Sequence, residues 1–345
     1  MNQIRRIAIV GGGPSGLFMY KRLIESNIQP NEIEIDIFES NKCLGAGMPY
    51  SGDGANIEHV TNVSDHEIPE LVTSIEAWVR TVPESMLAEF GIELARFNEY
   101  KVLPRLLFGK YLSAQFDLLI RQADKMNIKT QVYLGSRVID MKDHPAQQQV
   151  EIFVNGPESY RYDHAIICTG HKWPVKYEGQ IPGYFDSPYP PHKLERKVNH
   201  AVAIKGSSLT AIDAIKTLAR YHGQFQENVN GHLCFIPAAD CPEFKMIMHS
   251  RNGLLPAVRI HLEDPMVEDV TLLTKEQIHE QMTQNEGFLS LDFVFEKNFK
   301  DTFKTKDPIF YERIKDMTLE NFVEWMMHLR ENLEPFQLFR AEYVE

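Results

Sequence analysis

The chain is poor in cysteine, has no long apolar run and carries no surplus of positive charge, and each shortage removes a class of protein. Its four cysteines, Cys43, Cys168, Cys234 and Cys241, are widely spaced among 345 residues and form neither a CxxC pair nor a zinc pattern. That spacing argues against a disulfide framework and a dithiol centre, and makes a reducing cytoplasm the expected compartment. No metal site is expected. No apolar stretch approaches the roughly 18 residues that a membrane-spanning helix needs. Arg5 and Arg6 precede an apolar stretch in the manner of a secretory leader, but Gly11 to Gly13 and Pro14 interrupt it. Lys and Arg number 36 against 48 Asp and Glu, a net charge of −12. Nucleic acids and anionic membrane surfaces call for the opposite sign, so neither is expected as a partner. Repeats at solenoid periods and low-complexity tracts are also missing.

What is present is a strand, a glycine-rich turn and an acid in a fixed order. Ile7 to Val10 is a short apolar run suited to a buried parallel strand, and Gly11-Gly-Gly-Pro-Ser-Gly16 follows where that strand must turn into a helix. Gly11 allows the tight turn, Gly13 lets backbone approach a pyrophosphate, and Gly16 lets the helix pack close to the strand. The phosphates would sit on amides at the helix N-terminus, with Pro14 and Ser15 inside the turn. A helical pattern follows, then a second strand, Ile33 to Phe38, ending in Glu39, 23 residues past Gly16. An acid at that place binds the ribose hydroxyls of an adenosine, with Ser40 beside it. The plainer alternative is an ordinary βαβ turn with a surface Glu.

Further along, the loop Leu44 to Ser51 is glycine-rich, and Tyr50 and Asn62 are candidates for contact with a planar ring or for a solvated loop. Ser74 to Val82, Glu84 to Phe90 and Lys110 to Met126 read as helices, Thr130 to Leu134 as a strand. Arg137 to Met141 and Val150 to Val154 suggest a small antiparallel meander. Tyr162 to Cys168 reads as a buried strand ending in Thr169-Gly170, either a close approach to a nucleotide or a simple strand-end turn.

A proline-crowded stretch, Pro174 to Pro191, reads as a linker. His200 to Ile204, the turn Gly206 to Ala211 and the helical pattern after it form a second dinucleotide-type unit. Ser208 stands there where the middle glycine would be, and its Cβ would push a pyrophosphate outward. Phe244 to Met248 is the next strand. Arg251 beyond it is placed to pair with the 2′-phosphate that distinguishes NADP from NAD, or is a solvated arginine. From Leu262 the chain reads as mostly helical, with Thr318 as an N-cap and Leu319, Phe322, Val323, Met326 and Leu329 on an apolar side that Pro335 would end.

The expected fold is α/β, with two Rossmann-like dinucleotide-binding domains and a mostly helical C-terminal segment. The expected boundaries are 1–185 for the first domain with its meander, 186–260 for the second and 261–345 for the helical segment. No catalytic side chain is singled out.

GGGPSG with Glu39, the GMPYS loop, PRLLFGKYL from Pro104 to Leu112, CTGH at 168 to 171, GSSLTAID and SRNGLLP at 250 to 256 occur together in this order. In this set the chain resembles bacterial oxidoreductases of the FAD-NAD(P)-binding type over about residues 4 to 260. That group is distantly similar to flavin-dependent N-hydroxylating monooxygenases and thioredoxin-reductase-like flavoproteins. The resemblance implies FAD at the first turn, with Tyr50, Asn62 and Arg105 near the flavin. NADPH or NADH would occupy the second. The implied function is a flavin-dependent oxidoreductase reduced by NAD(P)H, with a monooxygenase acting on a small organic substrate as one form of it. Two features depart from the group. No Gly-Asp pair follows residue 260 where larger relatives place one against the ribityl chain, and Ser208 replaces a glycine. Two other readings stand beside it: a non-catalytic FAD or NAD(P) sensor, and a disulfide reductase with Cys43 as its single cysteine.

Overall fold

Strand β1 (Arg5–Val10) is the axis around which residues Met1–Leu255 fold as one compact unit, with Pro256–Glu345 forming a second. The computed structural model describes residues 4–26, 29–69, 71–98, 101–171, 173–228, 233–251, 253 and 273–332. In β1, Ile7 and Ile9 face one side and Ala8 and Val10 the other, and all four are buried. A strand covered on both faces reads as a continuous apolar run, as this one does.

β2 (Ile33–Phe38), β3 (Lys129–Tyr133) and β7 (His164–Ile167) complete a parallel sheet in the order β3-β2-β1-β7. One face is covered by α1 (Pro14–Ile24) and α4 (Arg105–Lys125), whose Tyr20 and Phe116 rings stack 5.5 Å apart. Leu17, Tyr20 and Ile24 recur at helical spacing on the buried side of α1. Two short helices, α2 (Ile75–Val79) and α3 (Glu84–Glu89), extend this core through Ile75, Val79 and Leu87. The other face carries an antiparallel meander of β4 (Val138–His144), β5 (Gln149–Val154) and β6 (Glu158–Tyr162), which packs Ile152, Val154 and Tyr162 on Ala8, Val10 and Phe38.

Two expectations need correction here. The run Tyr162 to Cys168 is not one buried strand: Tyr162 ends the meander, and the chain pivots at Asp163, whose carboxylate accepts from the Arg6 amide at 2.7 Å. β7 lies at the sheet edge, with Ile167 62% exposed. Helix α4 starts at Arg105 rather than Lys110, because Gly109 is inside it. A Cβ on Gly109 would lie 2.1 Å from the Tyr50 carbonyl oxygen, so helix and loop touch backbone to backbone there.

The second dinucleotide-type unit is smaller. β8 (Ala201–Lys205) pairs in parallel with β11 (Lys245–His249), and α5 (Leu209–His222) connects into a hairpin of β9 (Gly223–Glu227) and β10 (Leu233–Pro237). The hairpin was not expected, although Asn230-Gly231 between its strands is a hairpin signal.

Residues 273–332 form α6 (Lys275–Gln284), α7 (Leu291–Val294), a π-helical turn Phe295–Lys300, α8 (Asp301–Lys306), α9 (Pro308–Ile314) and α10 (Leu319–Asn332). Thr318 Oγ1 accepts from the Asn321 amide at 3.2 Å, as an N-cap does. Phe322 packs on Phe295 and Phe299, but Val323 is 50% and Leu329 37% exposed, so the expected apolar side is only partly core. Pro335 and the stretch from Leu262 to Leu272 lie outside the described residues.

Candidate functional site: two dinucleotide turns and the loop between them

The chain leaves β1 towards β2 and β3 on one side and returns to β7 on the other. The crevice beyond the carboxyl ends of β1 and β7 is therefore a topological switch point, where open α/β sheets bind ligands. Gly11 turns the chain out of β1 with φ +104, and its amide donates to the Phe38 carbonyl at 2.8 Å. A Cβ there would stand 2.4 Å from the Cys168 carbonyl oxygen, and one on Gly16 would stand 2.2 Å from that of Gly11. Gly13 is the N-cap of α1 without any side chain to cap it, Pro14 occupies the first turn and Ser15 is exposed. The helix thus opens towards the crevice with backbone donors available to an anion.

Glu39 is 6% exposed and is held from two sides. Its Oε2 accepts from the Gly12 amide at 2.8 Å; its Oε1 accepts from the Asn41 amide at 2.8 Å and the Ser40 hydroxyl at 3.1 Å. A carboxylate has about four acceptor positions. Three are taken, and the fourth lies on Oε2 beside the glycine turn, where a ribose hydroxyl fits. Thr169 and Gly170 emerge exposed from the end of β7. Trp173 follows, its buried Nε1 donor without an acceptor among the described residues. These features fit an adenosine diphosphate bound along the switch point.

The loop after Glu39 is fastened to this turn: the Gly45 amide donates to Gly12 O at 2.7 Å, and the Ser113 hydroxyl of α4 donates to Leu44 O at 2.6 Å. Tyr50 is half-buried with its ring edge on Phe108, 4.7 Å away. Burial pushes its phenol pKa up, and the charge of Arg105 works against that. Asn62 is exposed on a backbone pinned by Thr61, whose amide donates to Leu103 O at 2.8 Å. Arg105 does not stand free beside this loop. Its Nε donates to Val60 O at 2.8 Å, and its Nη1 pairs with Asp213 Oδ2 of α5 at 2.5 Å. Tyr189 also donates to Asp213, and Trp173 stacks on the Tyr189 ring at 5.6 Å. Burial opposes the charge on Arg105, but the Asp213 carboxylate more than offsets this and raises the guanidinium above its ordinary range. Sequence reasoning missed Asp213, Tyr189, Thr217 and His59. The available signal was Asp213 and Thr217 at i, i+4 on the apolar side of α5, polar residues at core positions.

At the second turn, Gly206 has φ +113 and its amide donates to His249 O at 2.8 Å. Ser208 is the exposed N-cap of α5, with no hydrogen bond from its side chain to the helix. Arg251 is exposed two residues past β11. Since β8 and β11 are parallel, Gly206, Ser208 and Arg251 gather at the same end of the small sheet. All four cysteines are free, and Cys43 is exposed. Among the described residues no group of His, Cys, Asp or Glu is arranged to hold a metal, and no helix is long and apolar enough to cross a membrane.

Residues 8–172 match the family model described as FAD-NAD(P)-binding, and residues 274–345 match the YdhS-like middle domain. The chain is 30% identical over 336 residues to a protein of Escherichia coli (strain K12) named "Uncharacterized protein YdhS". The match covers 96% of this chain and 61% of that relative, so the chain spans about three fifths of its length. Similar solved structures include the ornithine N-hydroxylase of Kutzneria sp. 744, at 16% identity and a TM-score of 0.45, covering 83% of this chain and 64% of that one. They also include the FAD-bound cadaverine monooxygenase of Erwinia amylovora, at 12% identity and a TM-score of 0.47, covering 89% and 67%. With the glycine turn, the buried acid and the switch point in place, residues 8–172 are similar to the FAD-NAD(P)-binding family whose model they match.

Proposed function

We propose that this protein is an FAD-dependent oxidoreductase reduced by NADPH or NADH, acting in the cytoplasm on a small organic molecule, with oxygen as co-substrate in a monooxygenase reaction. The observation that carries the reading is Glu39, buried and held so that one acceptor position faces the glycine turn at the switch point. The amides at the start of α1 would take the FAD pyrophosphate, and Glu39, oriented by Ser40 and Asn41, would take the adenosine ribose. Tyr50 and Asn62 are carried on the loop that leads away from that turn, and Thr169 and Gly170 close the β7 side. Bound FAD would supply the two-electron chemistry that no side chain supplies. The chain's own part is to bind, to orient and to exclude water.

NAD(P)H would lie at the second turn, its phosphates on the α5 N-terminus behind Gly206 and Ser208, with Arg251 reading a 2′-phosphate. Steady oxidation of NADPH or NADH by the full chain in air, matched to oxygen consumption, tests this. Turnover that rises with an added small organic substrate supports the monooxygenase form. Tight FAD binding with no NAD(P)H oxidation under any condition would replace it with a binding or sensing role.

A further inference from the structure

Between the two turns lies a buried polar cluster that neither turn requires. Asp213 is 4%, Thr217 1% and His59 1% exposed. The Asn56 amide donates to His59 Nδ1 at 3.1 Å, so the ring proton sits on Nε2 and points at Asp213 O (3.2 Å) and Thr217 Oγ1 (3.0 Å). The Thr217 hydroxyl donates in turn to Glu58 Oε1 at 2.6 Å, and Arg220 Nε lies 3.4 Å from Glu58 Oε2. Asp213, Thr217 and Arg220 follow one another at helical spacing, so a single face of α5 is fastened to the segment 56–60. The Asp213 carboxylate closes the set on Arg105, which holds His59 and Val60 through their carbonyl oxygens.

Apolar side chains would join a helix to a loop at least as strongly, since a buried ion pair gains little over a hydrophobic replacement of the same shape. What directional bonds add is a fixed orientation. The helix so held begins at Ser208 in the second dinucleotide turn, and the segment it holds runs on to Asn62.

We propose that Arg105, Asp213, Tyr189, His59, Thr217 and Glu58 form a strap that couples the two nucleotide sites, so that a nicotinamide nucleotide at the second turn tightens FAD binding at the first. The proposal rests on the cofactor assignment made above. A shift of α5 on binding one nucleotide moves the loop beside the other, and linkage makes the effect reciprocal. Asp213 is thus a positioning residue that acts through Arg105 and His59.

The test is the FAD dissociation constant of the FAD-free full chain, read by flavin fluorescence with and without saturating NADP+. The wild type should show FAD binding tightened by about 5-fold or more, the lower end of typical allosteric coupling. Asp213→Asn should reduce that factor to under about 2-fold while its NADP+ affinity without FAD stays within about 2-fold of wild type, a loss of coupling rather than of either site. Thr217→Val, which keeps the ion pair and removes the relay to Glu58, should fall between, and it carries the test should Asp213→Asn fail to fold. Equal tightening in wild type and both variants overturns the strap, as does a wild type whose FAD affinity ignores NADP+. A wild-type protein that binds no FAD overturns the cofactor assignment itself, and this outcome is distinct because no affinity is measurable at all.

Discussion

The two dinucleotide turns share a sequence pattern and differ in how they are built into the molecule. At Gly11 the turn is wedged between β1 and β7, where a single added carbon would meet backbone at 2.4 Å; at Gly206, whose φ is as positive, a Cβ would meet nothing within 4 Å. The first turn sits on a four-stranded sheet covered on both faces, the second on two strands backed by one small cluster around Ile204 and Leu218. The second strand of the first unit ends in a buried Glu39, whereas β11 leads to an exposed Arg251. Packing therefore fixes the glycines of the first turn whether or not a ligand binds. At the second turn Gly206 is constrained by its backbone conformation and not by packing.

That contrast is most sharply tested by one substitution made twice. Gly11→Ala should lower unfolding stability by about 3 kcal/mol or more, because the Cys168 backbone must move. Gly206→Ala should cost about 1 kcal/mol, the strain of a positive φ alone. Urea midpoints measure both, and equal losses would erase the distinction. Next in size, Glu39→Gln should fold normally yet weaken FAD binding by about 10- to 100-fold, the value of a charge-assisted hydrogen bond. Titration of the FAD-free variant reads it directly. At the second turn, Arg251→Ala should leave stability unchanged and weaken NADPH binding by about 10-fold with NADH unaffected. A variant that loses both nucleotides equally would move Arg251 away from the 2′-phosphate.

The smallest effect concerns the join between the two. Burial holds the His59 pKa below its ordinary 6.5, against the pull of the Asp213 and Glu58 carboxylates, while the charge of Arg105 adds to the lowering. Below that value the unfolded chain takes up a proton that the folded chain resists, so stability is full above about pH 6.5 and declines as pH falls towards the depressed pKa. Urea midpoints measured between about pH 7.5 and 5.5 should therefore fall with acidity in the wild type and fall less in His59→Gln.

The first unit was legible in the sequence because its signals are local. The apolar strand Ile7 to Val10, the glycines at 11, 13 and 16 and the acid at 39 are all short-range consequences of one βαβ geometry. The boundaries of β2 and the N-cap at Thr318 followed from similar local rules. What escaped the sequence depends on contacts between distant segments. Gly109 hides the first turn of α4 unless one knows that Tyr50 lies against it, and Tyr162 and His164 join different sheets only because Asp163 is bound to Arg6. Arg105 came from the resemblance alone, and its ion pair with Asp213, 108 residues away, leaves no trace in spacing.

The most direct test of the account is the visible spectrum of the purified protein, recorded without oxygen before and after NADPH or NADH is added. The account predicts a yellow protein that bleaches, with flavin at the first turn and hydride arriving from the second. A protein that is colourless and takes up no added FAD would contradict it.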